Sequence, residues 1–231
     1  MPARLVQIAA APDLVDQVYR ALLDAISSGS LAPGERITQE DLARRLAVSR
    51  QPVLQALRLL KKDGFVLDAP GRGLLVAPLD AEWTAKVYQV RGALDVLAAR
   101  LAAEQHFKID SKLIERGRRA ARGRSVEAMI DADMAFHHAI YVASGNPLIA
   151  QSADQHWRHL RRTMGAVLQS EPQRESLWDE HEAIAKAIAA GDADTAARLS
   201  EEHGAQASQT LGKRLAERLS ARTLTHAGDT A

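Results

Sequence analysis

A chain of 231 residues with 46% hydrophobic, 4% aromatic and 26% charged residues has the balance of a globular protein, in one large domain or two small ones. It has no cysteine, which excludes a disulfide scaffold, a Cys-ligated zinc finger, an iron–sulfur cluster and a thiol nucleophile. The net charge is only +1, but Arg36 to Val76 holds eight basic and four acidic residues, a local +4 that leaves −3 for the rest, so one part is expected to meet a polyanion and the other is not.

Asp13 to Ser28 reads as a helix, with Leu14, Val18, Leu22 and Ile26 at helical spacing, and Ser28-Gly29-Ser30 stops it. Pro33-Gly34 is a turn. Thr38, followed by Asp41, is placed to cap a second helix carrying Leu42 and Leu46. After a short turn at Val48, Ser49 caps a third helix with Pro52 in its first turn, Val53, Leu57 and Leu60 as its buried stripe, and Gly64 at its end. Phe65-Val66-Leu67 and Leu74-Leu75-Val76 flank Asp68 to Gly73 as a small β-hairpin. Helix, helix–turn–helix and hairpin make a winged helix-turn-helix over residues 1–78.

From Glu82 onward only helices are expected, so the fold class is mainly α, with a C-terminal all-helical bundle of about six helices over residues 82–220. The first, Glu82 to His106, has Trp83, Val87, Val90, Leu94, Leu97 and Leu101 in a 4-3-4-3-4 pattern. The others are placed at Ser111–Arg122, Ser125–Ser144, Pro147–Leu168, Gln173–Ala190 and Ala193–Ser220, and residues 221–231 read as a polar, flexible tail. No run of about 18 apolar residues is present and Met1 to Pro12 lacks the form of a secretory signal, so the expectation is cytoplasmic, with no membrane partner.

The third helix has the chemistry of a major-groove reader. Ser49 and the free N–H groups of the first turn can grip phosphate; Arg50 can take guanine bidentately; Gln51 or Gln55 can read adenine or a neighbouring base. Arg58, further along, suits the backbone, and the tip Gly71-Arg72-Gly73 offers one cation on a flexible wing for a minor groove or a phosphate. Arg36 joins these as a basic candidate contact. Residues 14–76 resemble the winged helix-turn-helix of the GntR family of bacterial transcription regulators. The motifs that carry the likeness are Ala25-Ile26 to Leu31-x-Pro33-Gly34-Glu35-Arg36, Leu42-Ala43-x-x-Leu46-x-Val48-Ser49-Arg50-x-Pro52-Val53, and Ala56-Leu57 through Asp63-Gly64. Two positions depart from that pattern: Ala47 stands where the turn glycine is common, and Leu54-Gln55 where a basic and then an acidic residue are usual, so operator preference is expected to differ.

All eight histidines lie after residue 100. Asp133 and His137, four apart, share a helix face, and His181 and His203 are equidistant from Asp192, so an antiparallel hairpin brings them to one depth. Three imidazoles and a carboxylate make an N/O donor set for Zn²⁺, Ni²⁺, Mn²⁺ or Fe²⁺; surface or satisfied core histidines are the other reading of the same spacing. Residues 82–218 resemble the all-helical effector domain of the FadR-type branch of that family, known as FCD, through Arg91-x-x-Leu94-Asp95, Asp133-x-x-Phe136-His137 to Ser144-Gly145-Asn146, and His181-x-x-Ile184 to Gly191-Asp192. Six helices point to its VanR-like subgroup. The resemblance implies that Asp133, His137, His181 and His203 hold a divalent metal, zinc foremost, and that a small organic acid binds nearby, with Arg91 and Asn146 as effector contacts. Spacing alone reads Arg91 equally well as a salt bridge to Asp95. Trp157 with Arg158, Arg161 and Arg162 reads as a dimer face, a pocket wall or a solvated stripe, the last for most of the arginines.

The function expected is a homodimeric regulator that binds a pseudo-palindromic double-stranded DNA operator and answers to a small carboxylate. A metal-responsive regulator with no organic effector is one alternative. A metal-dependent hydrolase is another, but His181-Glu182 is followed by Ala185 rather than a second His, and no nucleophile elbow or phosphate loop appears, so the chain is not expected to be an enzyme.

Overall fold

Val18, Leu22, Leu23 and Ile26 fall on one face of α1 (Leu14–Ser28) and all are buried. The computed structural model in which they are seen describes residues 14–168 and 175–228, the last seven as backbone alone. The chain divides into two units after Pro78.

In the first unit α1 packs on α3 (Arg50–Lys62), whose Val53, Ala56, Leu57 and Leu60 are fully buried. Between them α2 (Gln39–Arg45) starts at Thr38, whose Oγ1 accepts from the Asp41 N–H at 3.2 Å. Ala47, in the turn to α3, has φ +53, the left-handed conformation that a glycine takes without strain. Ser49 occupies the N-cap of α3, yet its side chain makes no capping bond. The wing is a three-stranded antiparallel sheet in the order β1 (Arg36–Ile37), β3 (Leu74–Val76), β2 (Val66–Asp68), with Ile37 opposite Leu74 and Val66 opposite Val76. The sequence predicts β2 and β3 but not β1, because two residues are too short to carry a period-2 signal.

The second unit holds six helices among the described residues: α4 (Ala81–Glu104), α5 (Ser111–Arg122), α6 (Val126–Ala143), α7 (Pro147–Val167), α8 (Glu175–Ala190) and α9 (Ala193–Gly228). Gln173, the expected start of α8, lies outside the described residues. The last helix extends beyond the Ser220 end expected for it. Helix α9 runs on to Gly228, because polarity does not end a helix and neither proline nor glycine intervenes after Gly212. Residues 229–231 lie outside the described set.

Helix α4 touches α6, α7, α8 and α9. Its apolar 4-3 row is split. Val87 is buried, whereas Trp83, Val90 and Leu97 are exposed. The inward face carries Thr84, Tyr88, Arg91, Asp95, Ala98, Ala99 and Ala102 instead, alanines for close helix approach and polar groups at the centre of the bundle. Trp157 is likewise core, Arg162 is buried, and Arg158 and Arg161 are half-buried, which corrects the solvated-stripe expectation. Arg161 pairs with Asp131 at 2.6 Å across α6 and α7.

Candidate metal centre and nucleic-acid face

Helix α6 presents Asp133 and His137 one turn apart on its buried side. The α8–α9 hairpin supplies the rest. Gly191 at φ +78 makes its turn in the left-handed conformation that glycine takes without strain, with the ring of the exposed His106 lying against it. Asp192 caps α9 by accepting from the Thr195 N–H at 3.0 Å. The hairpin sets His181 against His203, Nε2 to Nε2 at 3.3 Å. His181 Nε2 is also 3.3 Å from Asp133 Oδ1, and His137 Nε2 is 3.9 Å from the same oxygen. One donor atom from each of the four residues lies within 4.8 Å of the others, and all four residues are buried. Phe136 stacks on His181 with ring centroids 4.2 Å apart, and Trp178 meets it edge-on at 4.6 Å.

This donor set fits a divalent cation. Asp133 Oδ1 and His137 Nε2 make no hydrogen bond although they are buried, a costly state that a metal ion would relieve. Burial pushes the His181 imidazole well below its ordinary pKa, and His203 and His137 push the same way. Burial also lowers His137, against the pull of Asp95. Both shifts favour the neutral ring, the state in which imidazole donates a lone pair. Two more carboxylates stand behind the donors: Glu180 Oε2 is 2.7 Å from His203 Nδ1, and Asp95 Oδ1 is 3.6 Å from His137 Nδ1. Asp95 was named from the sequence only in the Arg91-x-x-Leu94-Asp95 motif and as an i, i+4 partner of Arg91, not as a support for His137, and Glu180 carried no signal.

Arg91 is fully buried and its Nε donates to Asp95 Oδ2 at 2.8 Å, so the ion-pair reading of its spacing is realised. The guanidinium also lies over the Trp157 ring at 4.4 Å from its centroid. Burial opposes the charge on Asp95, but the Arg91 guanidinium beside it outweighs burial and holds the carboxyl below the usual range. Tyr141 donates its hydroxyl to Asp95 Oδ1 and accepts from Trp157 Nε1 at 3.1 Å. Arg91, Asp133 and His203 line one cavity of about 80 Å³; Trp178, Met164 and Leu211 are among its apolar walls. Asn146 is not part of that wall. Its Oδ1 accepts from the Leu148 N–H at 3.1 Å and caps α7, the ordinary use of Asn before a helix-starting proline.

On the first unit Ser49, Arg50, Gln51, Gln55 and Arg58 are all exposed along α3. Arg50 pairs with Glu40 of α2 at 2.6 Å. Arg72 stands exposed between Gly71 and Gly73, both at positive φ, at the tip of the wing. Arg36, expected among the DNA contacts, has a different engagement. Its guanidinium donates to the carbonyls of Pro70, at 2.9 Å, and Arg72, bracing the hairpin from β1. The brace was not visible in the sequence because β1 itself was not.

Residues 14–76 match the model of the bacterial regulatory proteins of the gntR family, and residues 86–206 match that of the FCD domain. The HTH-type transcriptional regulator LutR of Bacillus subtilis is 31% identical over 193 residues, covering 72% of this chain and 87% of LutR. An uncharacterised HTH-type transcriptional regulator of the same organism, YdhC, is 33% identical over 135 residues, covering 56% of this chain and only 60% of YdhC. Escherichia coli McbR is 28% identical over 145 residues, covering 61% of this chain and 66% of McbR. Its solved structure is similar with a TM-score of 0.74 at 22% identity, covering 90% of this chain and 99% of that one, a likeness of fold. Among the described residues no helix is long and apolar enough to cross a membrane.

Proposed function

From the premise that this chain belongs to the GntR family of bacterial regulatory proteins and carries an FCD domain, we propose that it is a regulator whose operator binding is modulated by a small carboxylate read at a metal centre. The observation that carries this reading is the meeting of Arg91, Asp133 and His203 on the wall of one cavity. Asp133, His137, His181 and His203 would hold the ion, with zinc the first choice for an imidazole-rich set and nickel, manganese or iron the others. When bound, such an ion supplies open coordination positions for a carboxylate oxygen. Arg91 supplies a fixed positive charge at the same wall, and the apolar walls exclude water from the rest of the ligand. The relatives are named as transcriptional regulators, which supports a binding protein rather than an enzyme.

DNA recognition rests on α3 in the major groove. Arg50 takes guanine, Gln51 and Gln55 read neighbouring bases, Ser49 and the helix start grip phosphate, Arg58 meets the backbone, and Gly71-Arg72-Gly73 reaches a minor groove or phosphate. Arg36 acts by holding the wing. A homodimer on a pseudo-palindromic operator is supported by α4, where Trp83, Val90 and Leu97 recur every seven residues and are each 42% or more exposed, an apolar row suited to a second copy. Ligand binding alters operator affinity only if the ligand favours one arrangement of the protein over another.

The test is a thermal-shift screen of small carboxylates on zinc-loaded and chelator-stripped protein. An acid present at 100 times its Kd adds about 2.7 kcal/mol of stability, and it is expected to do so only when metal is present. Stabilisation by zinc alone, with no acid adding to it, would replace this reading with a metal-responsive regulator. No response to any divalent metal would remove the metal centre.

A further inference from the structure

Two donors of the cluster, His203 and His137, have a carboxylate behind them, and one of these carboxylates, Asp95, has two clients. Its Oδ1 faces His137 Nδ1 at 3.6 Å, and its Oδ2 accepts from Arg91 Nε at 2.8 Å. Tyr141 donates to Oδ1 and is itself held by Trp157 Nε1 at 3.1 Å, so the carboxylate is tied from three helices, α4, α6 and α7. We propose that Asp95 is a positioning residue shared by the two halves of the site: it keeps the proton of His137 on Nδ1, so that Nε2 is offered to the metal, and it holds Arg91 at the cavity wall. Glu180 performs the first of these tasks for His203, at 2.7 Å from Nδ1. The inference rests on the metal reading of the cluster.

The chemistry favours this arrangement. A neutral imidazole has one N–H and one lone pair, and a carboxylate beside Nδ1 selects the tautomer whose Nε2 is free. His137 Nε2 is buried and makes no hydrogen bond; Asp133 Oδ1 stands 3.9 Å from it, farther than Asp95 Oδ1 stands from Nδ1, so the proton is better placed on Nδ1 and the lone pair toward the metal site. Sharing one carboxylate has a consequence. Loss of the Arg91 bond disturbs Asp95 and through it His137, so metal affinity depends on a residue that is not a ligand. By linkage, capture of an anion at Arg91 and capture of the metal then alter each other by the same factor.

Two measurements on the full chain decide it. Imidazole ¹⁵N NMR of the metal-free wild type is expected to give His137 and His203 with the proton on Nδ1; a dominant Nε2–H form of His137 overturns the proposal without any mutation. Zinc affinity by competition with a chromophoric chelator is expected to fall about 10- to 100-fold in Asp95→Asn and in Glu180→Gln, the usual effect of losing such a partner. Arg91→Lys keeps the charge but loses Nε–H, and is expected to bind zinc several-fold more weakly. If the wild type binds zinc and Arg91→Lys binds it equally well, the shared role is overturned while the metal reading stands. If the wild type binds no zinc, the metal reading falls and takes this inference with it. Should Asp95→Asn not fold, the NMR result and Arg91→Lys still decide.

Discussion

The winged unit buries Leu22, Ile26, Leu42, Val53, Leu57 and Phe65 and keeps its cations at the surface, whereas the helical unit buries Arg91, Asp95, Asp133, His137, His181 and His203 at its centre. Among the described residues of the winged unit Ser27 is the one buried polar side chain. Its core is therefore held by apolar burial, and its proposed chemistry sits on exposed residues that answer only to helix and turn geometry. The helical unit places its polar groups where desolvation is costly, so each needs a partner from another helix, and its chemistry exists only when the helices are assembled. Three tryptophans, Trp83, Trp157 and Trp178, all belong to the helical unit, so indole fluorescence follows that unit alone while far-UV circular dichroism follows both.

The largest expected effect separates the two cores. Leu57→Ala removes a fully buried side chain between α1 and α3 and is expected to cost the winged unit about 2–5 kcal/mol. In urea the circular dichroism curve should then split, its early part moving to lower denaturant while the indole curve and zinc affinity stay in place. A matching shift of the indole curve would show that the units do not unfold separately. Next, Gly117→Ala acts on the other side: a Cβ there would stand 2.0 Å from the Trp178 ring, which packs against His181. Overpacking of this kind costs about 1–3 kcal/mol, and here the indole curve should move and zinc bind more weakly. An unchanged zinc affinity would mean that the Trp178 wall does not support the donors. The smallest effect is a gain. Ala47→Gly relieves a left-handed residue in the helix–turn–helix and is expected to stabilise the winged unit by about 1 kcal/mol, with no change in the indole curve. A loss of stability would mean that added freedom in the unfolded chain outweighs the relief.

The same contrast explains what could be read in advance. In the winged unit the cap at Thr38, the helix-start position of Ser49, the stripe Val53-Leu57-Leu60 and the stop at Gly64 are local signals, and the helices follow them. What escaped there was the non-local part: β1, which exists only by pairing with β3, and the bond from Arg36 to the wing carbonyls that follows from it. In the helical unit spacing offered two pairs, Asp133 with His137 and His181 with His203 about Asp192, the family resemblance implied that they join, and the fold does bring the four together. The apolar row of α4 pointed elsewhere, because helical periodicity finds a stripe but does not say whether neighbouring helices or solvent will cover it.

By itself, then, the sequence determined the helices, the hairpin of the wing, the helical character of the second unit and the pairing of Asp133 with His137, since each depends on residues within a few turns of one another. Only the tertiary structure decided that Arg91 turns inward to Asp95, that Asn146 caps a helix outside the cavity, that Trp157 is core, and that Asp95 and Glu180 stand behind the imidazoles. Those assignments join side chains from different helices. Their strength comes from burial, which removes water as an alternative partner, and burial is a property of the assembled bundle rather than of any one segment.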